Sequence, residues 1–207
     1  MATAVKICGI TTPEDARHAA YAGAHAIGVV FHAASARHVT PEQARAVVEA
    51  LPPFVTAVGL FVDADPAEVR AVVRATGLQL LQFHGDESPE YCAGFDLPYI
   101  KAIRVRRGVD LLQCSRRFQG ARGLLLDAFH EEHRGGTGQP FDWSLIPSDL
   151  PLPIVLAGGL TPDTVEQAVR RVRPWGVDVS SGVERSKGVK DPAKVAAFIR
   201  GARNADV

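Results

Sequence analysis

Short apolar runs alternate along the chain with amphipathic stretches of helical period. Residues 4–8, 26–31, 55–62, 78–83, 99–105, 123–127, 154–157 and 177–179 are apolar without the two-residue alternation of a half-exposed strand. They read as eight strands buried on both faces. Helices are predicted over 13–22, 41–51, 66–76, 89–93, 110–118, 162–173 and 192–202, with a brief helix near Asp142. Six helix starts share one device: Thr12-Pro13, Thr40-Pro41, Asp65-Pro66, Ser88-Pro89, Thr161-Pro162 and Asp191-Pro192. A hydroxyl or carboxylate caps the helix, and proline, which needs no amide partner, takes its first position. Strand-helix units repeated eight times predict a single (β/α)8 TIM barrel of parallel strands with outer helices, residues 1–207 forming one domain. All strand-to-helix loops of such a barrel lie on one face, so function belongs there.

Composition narrows the classes. The 207 residues, 46% of them hydrophobic, suffice for one sizeable core. Lys plus Arg equals Asp plus Glu at 23 each, so no global field attracts nucleic acid or an anionic membrane, and an anion needs a local site. A small charged ligand fits better than a polymer. The start of the chain lacks a signal-peptide pattern and the apolar runs fall far short of the ~20 residues needed to span a bilayer, so a cytoplasmic protein is expected. Cys8, Cys92 and Cys114 are odd in number and unrelated in spacing, which argues against a disulfide framework or a zinc site. His130-Glu131-Glu132-His133 reads as a solvated loop, and no metal is expected. Neither a dinucleotide fingerprint nor a Walker loop is present, so no nucleotide cofactor is implied.

Candidate chemistry gathers at the strand ends. Cys8 closes the first strand with Gly9 beside it, and Asp127 closes the sixth after Leu124-Leu125-Leu126. In one barrel these two groups face each other across the mouth as an acid/base pair. Loops after the last two strands commonly seat phosphate in such barrels, through backbone N–H groups at the start of a short helix. Gly158-Gly159 and Ser180-Ser181-Gly182 occupy those loops, with Gly135-Gly136-Thr137-Gly138 read as a lid that adds some phosphate contact. Lys6 lies on the same strand face as Cys8, and Asp178 on the strand that closes beside it. A buried Lys6–Asp178 ion pair is therefore expected beneath the site, its cation favouring the Cys8 thiolate.

Seven blocks in order carry a resemblance: Lys6-Ile7-Cys8-Gly9-Ile10-Thr11, Ser35-Ala36-Arg37, Gln82-Phe83-His84-Gly85, Asp127, Gly135-Gly136-Thr137-Gly138, Ala157-Gly158-Gly159-Leu160 and the 178–184 segment. Together they resemble the phosphoribosylanthranilate isomerase family of the tryptophan pathway over nearly the whole chain. Two departures are Ala36 where the family often has proline and Phe83 where it often has leucine. The resemblance implies an Amadori rearrangement of an aminoaldose phosphate to an aminoketose phosphate, with Cys8 as base and Asp127 as acid. It also implies Arg37 and His84 at the substrate, Gly136, Gly158, Gly159, Ser180, Ser181 and Gly182 at the phosphate, and no cofactor. An arginine suits the anthranilate carboxylate because it can grip it in two parallel hydrogen bonds. His84 either lines the pocket or is hydrogen-bonded within the fold. Since free thiols titrate near ~8.5 and free aspartates near ~3.9, the site must shift both for these roles.

Three alternatives stand beside this reading. A histidine-pathway aminoaldose isomerase is associated with aspartate at the first strand end, where this chain has Cys8. A metal-dependent pentose-phosphate epimerase needs inward histidines and acids on several strands. A non-catalytic phosphate-binding protein predicts binding without turnover. The expected partner is a small sugar phosphate, and a monomer is favoured over a homodimer because no extended apolar surface helix is evident.

Overall fold

The computed structural model describes residues 2–128 and 142–205. Among them, eight parallel strands close a barrel in chain order: β1 (Ala4–Cys8), β2 (Ala26–Val30), β3 (Thr56–Phe61), β4 (Leu80–Phe83), β5 (Tyr99–Val105), β6 (Leu124–Ala128), β7 (Ile154–Leu156) and β8 (Gly176–Val179). Closure comes from β1 pairing with β8, where Lys6 lies opposite Asp178. Helices α1 (Pro13–Ala22), α2 (Pro41–Glu49), α3 (Pro66–Thr76), α4 (Pro89–Ala93), α5 (Leu111–Arg117), α6 (Val165–Val172) and α7 (Pro192–Asn204) follow the strands, with a 3₁₀ turn at Trp143–Leu145 before β7. No described helix is long and apolar enough to cross a membrane.

The two-residue period of each strand sorts its side chains between two cores. Val5 and Ile7 of β1, Leu124 and Leu126 of β6, and Val177 and Val179 of β8 belong to the large cluster that packs on the helices. Their neighbours face inward. Ile100, Ala102, Leu125 and Ala157 fill the middle of the barrel, and Cys8, Val30 and Leu60 form a small cluster at its mouth. With both faces buried, the strands show no alternation of apolar and polar residues, the pattern seen in the sequence.

Five of the six proline-marked starts form as expected. Thr12, Thr40, Asp65, Ser88 and Asp191 each accept a backbone N–H in the first turn of α1, α2, α3, α4 and α7. The sixth does not: α6 starts at Val165 rather than Pro162. There Thr164 Oγ1 accepts the Thr161 N–H at 3.0 Å, and the Thr161 carbonyl accepts from the backbone of Thr164 and Val165, so a separate turn replaces the first helical turn. A second departure follows β8. A 3₁₀ turn (Ser181–Val183) leads into an antiparallel hairpin of β9 (Glu184–Ser186) and β10 (Val189–Lys190), where the sequence suggested only a polar loop.

Candidate active site

The end of β1 sets the first half of the site. Lys6 and Cys8 point the same way, and Lys6 Nζ donates to Asp178 Oδ1 at 2.8 Å, so the expected ion pair forms. Both partners are buried. Gly28, opposite Cys8 on β2, keeps this corner open: a Cβ there would lie 2.8 Å from Cys8 Sγ and 3.0 Å from Lys6 Nζ. The ammonium and the sulfur therefore approach each other across the missing side chain. Burial pushes the Cys8 thiol above its usual range, and Lys6, by charge and hydrogen bond, works in the opposite direction, with Lys190 adding to it. Lys6 itself is held protonated: burial disfavours its charge, but Asp178, followed by Cys8, more than compensates.

Asp127, the next-to-last residue of β6, supplies the second half. Its Oδ1 accepts the Ala128 N–H at 2.9 Å, and its Oδ2 meets His84 Nε2 at 3.0 Å. Gln82 Nε2 lies 2.9 Å from His84 Nδ1. An amide nitrogen can only donate, so Nδ1 accepts, the ring proton sits on Nε2, and His84 donates to the carboxylate. Gly158 packs against the same group at φ +77°, where a Cβ would fall 2.9 Å from Asp127 Oδ1. A side chain at Gly158 would thus be strained in its backbone and would push the acid aside.

The loop that carries His84 is pinned from below. Lys101 faces out of the barrel yet is 3% exposed. Its Nζ donates to the Gly85 carbonyl at 2.7 Å and to Glu87 Oε2 at 3.1 Å. Glu87 in turn accepts from the Gly85 N–H at 2.9 Å and the Asp63 N–H at 2.9 Å. A buried charge needs such partners, and here they fix the backbone on both sides of His84.

Arg37 follows β2. Its Nε and Nη2 donate to Glu184 Oε1 and Oε2 at 2.7 and 2.8 Å, so one edge of the guanidinium is already engaged by a carboxylate. Five N–H donors leave the Nη1 edge for a ligand. Lys190 Nζ reaches the same Glu184 at 2.9 Å and the Ser180 carbonyl at 3.1 Å, which ties Arg37 to the loop after β8. Burial alone would raise the Glu184 carboxyl, but the Arg37 hydrogen bonds, and then Lys190, hold it below its usual range. Arg37→Lys is expected to raise KM for a carboxylate-bearing substrate about 10-fold or more while leaving kcat within a few-fold, because an ammonium cannot hold Glu184 and a second carboxylate in one plane. Steady-state kinetics on the purified variant reads both constants, and an unchanged KM removes Arg37 from the site.

One cavity collects these groups. Cys8, Arg37, Gln82, His84, Asp127, Gly158, Gly159, Ser180, Ser181 and Gly182 all line it. Every site residue expected from the sequence meets there except Gly136, which lies with the rest of 135–138 and with His130 and His133 outside the described residues. Sequence reasoning assigned no role to Gln82, Glu184, Lys190, Glu87 or Lys101. The only signal for Lys101 and Gln82 was a polar residue within a mostly apolar strand.

A closed parallel barrel with a thiol and a carboxyl group opening on the same mouth cavity places the molecule among the (β/α)8-barrel enzymes. The sequence profile described as N-(5'phosphoribosyl)anthranilate (PRA) isomerase matches residues 5–201. The chain belongs to that family. It is similar to the N-(5'-phosphoribosyl)anthranilate isomerase of Thiobacillus denitrificans, with 58% identity over 203 residues covering 98% of this chain and 99% of the relative. The crystal structure of the Thermotoga maritima phosphoribosyl anthranilate isomerase superposes with a TM-score of 0.90 at 40% identity, covering 98% of this chain and 99% of that one. A further structure, of such an isomerase in complex with reduced 1-(o-carboxyphenylamino)-1-deoxyribulose 5-phosphate, matches with a TM-score of 0.87 at 39% identity over 98% and 99% of the two chains.

Proposed function

We propose that Cys8 and Asp127 are the base and acid of an Amadori rearrangement that converts N-(5'-phosphoribosyl)anthranilate to 1-(2-carboxyphenylamino)-1-deoxyribulose 5-phosphate in tryptophan biosynthesis. Asp127 gives its proton to the furanose ring oxygen as the bond from that oxygen to C1 breaks, leaving an iminium between C1 and the anthranilate nitrogen. Cys8, as thiolate, takes the proton from C2, and the electron pair of that bond neutralises the iminium. The resulting enol tautomerises to the ketose. Both groups need only reach opposite sides of one sugar.

The single observation that supports this reading is that Cys8 and Asp127 line the same cavity as the glycine and serine loops after β7 and β8. Those loops supply backbone N–H groups and hydroxyls for the phosphate, and Arg37 supplies the anthranilate carboxylate with its free edge. The test is turnover of N-(5'-phosphoribosyl)anthranilate generated in situ, followed by the loss of anthranilate-type fluorescence. Conversion by the wild-type chain is expected. Tight binding of the substrate without conversion would favour a phosphate-binding protein instead.

We further infer that one chain is the complete catalytic unit, acting as a cytoplasmic monomer, since one barrel brings Cys8, Asp127 and the loops after β7 and β8 to the same cavity. Specific activity is then expected to stay constant on dilution from micromolar to nanomolar enzyme. A fall that tracks dissociation in analytical ultracentrifugation contradicts the monomer.

A further inference from the structure

Gln82 combines three observations that the acid/base pair does not use. It is the polar residue of the inward face of β4, it is 0% exposed, and it lines the mouth cavity. Its Nε2 is committed to His84 Nδ1 at 2.9 Å. Its Oε1 is buried and has no hydrogen-bond partner among the described residues. A buried carbonyl oxygen without a donor is costly, and such atoms in folded proteins call for an explanation.

The His84–Asp127 bond fixes which end of the amide is left over. With the ring proton on Nε2 pointing at the carboxylate, only the Gln82 nitrogen can meet Nδ1, and the oxygen is the end that remains. With the Asp127 proton directed at the ring oxygen, as its acid role requires, the opposite pose would leave the ring's lone pair facing an Asp127 oxygen with no hydrogen to offer it. Gln82 is thus an acceptor of fixed polarity, two hydrogen bonds away from the acid.

We propose that Gln82 Oε1 is a specificity-determining acceptor for a sugar hydroxyl of the substrate, the one on C3. The choice of C3 rests on the acid/base reading above. C3 lies between C2, which Cys8 deprotonates, and C4, which bears the ring oxygen that Asp127 protonates. A hydroxyl on C3 is the donor between those two reacting positions, and Gln82 lines the cavity they share. Gln82 would then reject sugar phosphates that lack a donor at this position, because binding them would leave its oxygen buried and unpaired.

Binding of a non-reacting ligand tests this apart from turnover. The probes are the reduced 1-(o-carboxyphenylamino)-1-deoxyribulose 5-phosphate and its 3-deoxy counterpart, measured by calorimetry on the full chain. Wild type is expected to bind the 3-deoxy compound about 10- to 100-fold more weakly. Gln82→Leu and the closer shape match Gln82→Met are expected to bind the two compounds within about 2-fold of each other. Equal affinity of wild type for the two probes overturns the proposal, as does the wild-type ratio persisting in a Gln82 variant that folds. Equal wild-type affinities overturn the proposal even if neither variant folds. Nitrogen-15 NMR of His84 gives an independent readout, and a protonated Nδ1 would overturn the assigned polarity. Loss of the acid/base reading would show instead as full turnover in Cys8 or Asp127 variants, with the probe ratio unaffected.

Discussion

Asp127→Asn is expected to lower kcat about 10³-fold, within the 10²- to 10⁴-fold range of general acid/base catalysis. The amide has the shape of the carboxyl group but has no proton to give to the ring oxygen. It also fits its surroundings poorly. His84 Nε2–H and the Ala128 N–H each point at one carboxylate oxygen, so an asparagine NH₂ must face one of these donors. Cys8→Ser is expected to cost a comparable factor, because a serine hydroxyl is a far weaker acid than a thiol and yields almost no anion at neutral pH. Affinity for the reduced product is expected to change less than about 10-fold in either variant, since neither residue holds the phosphate or the aryl carboxylate. Steady-state kinetics with calorimetric titration separates the two quantities. A large loss of affinity with kcat preserved would move both residues from chemistry to binding.

Lys6→Met is expected to act twice. It leaves Asp178 buried without its partner 2.8 Å away, and removal of one member of a buried pair costs about 3–5 kcal/mol, readable in urea unfolding. It also removes the foremost influence that holds the Cys8 thiol down against burial. The sign follows directly. Without the cation the thiol rises further, the limb of kcat/KM that requires thiolate moves to higher pH, and each unit of movement costs about 10-fold at pH 7. Asp178 pushes the thiol up, but by less than Lys6 pulls it down, so Lys6→Met with Asp178→Asn should bring the limb part of the way back. The same double variant restores most of the stability, because no buried charge is left alone. A pH profile unmoved by Lys6→Met would show that the ion pair serves the fold only.

The barrel was legible because its signals are local. Each of Thr12, Thr40, Asp65, Ser88 and Asp191 announces its helix within four residues, and strands buried on both faces show no regular polar alternation. Thr161-Pro162 misled because a proline also suits a turn, and Thr164 closes that turn with its own side chain before the helix begins. The β9–β10 hairpin was not legible: Glu184–Ser186 and Val189–Lys190 are too short and polar to show a strand period.

The site divides along the same line. Cys8 and Asp127 stand at strand ends, and Lys6 and Asp178 could be paired from strand parity and barrel closure alone. Glu184 and Lys190 could not be placed, because their contacts with Arg37 and Ser180 exist only once the hairpin folds back across the mouth. Gln82 was visible as a polar residue in a strand, but its unpaired oxygen is a property of the packed barrel.

Cys8 and Asp127 are held here to serve one proton-transfer sequence on one substrate, and kcat/KM of Cys8→Ser, Asp127→Asn and the double variant measures that directly. Groups that act as a unit are strongly non-additive, so the double variant should be no more than about 10-fold worse than the poorer single variant. Losses that multiply in full, or a single variant that keeps more than about a tenth of wild-type activity, would mean that the two groups do not work together.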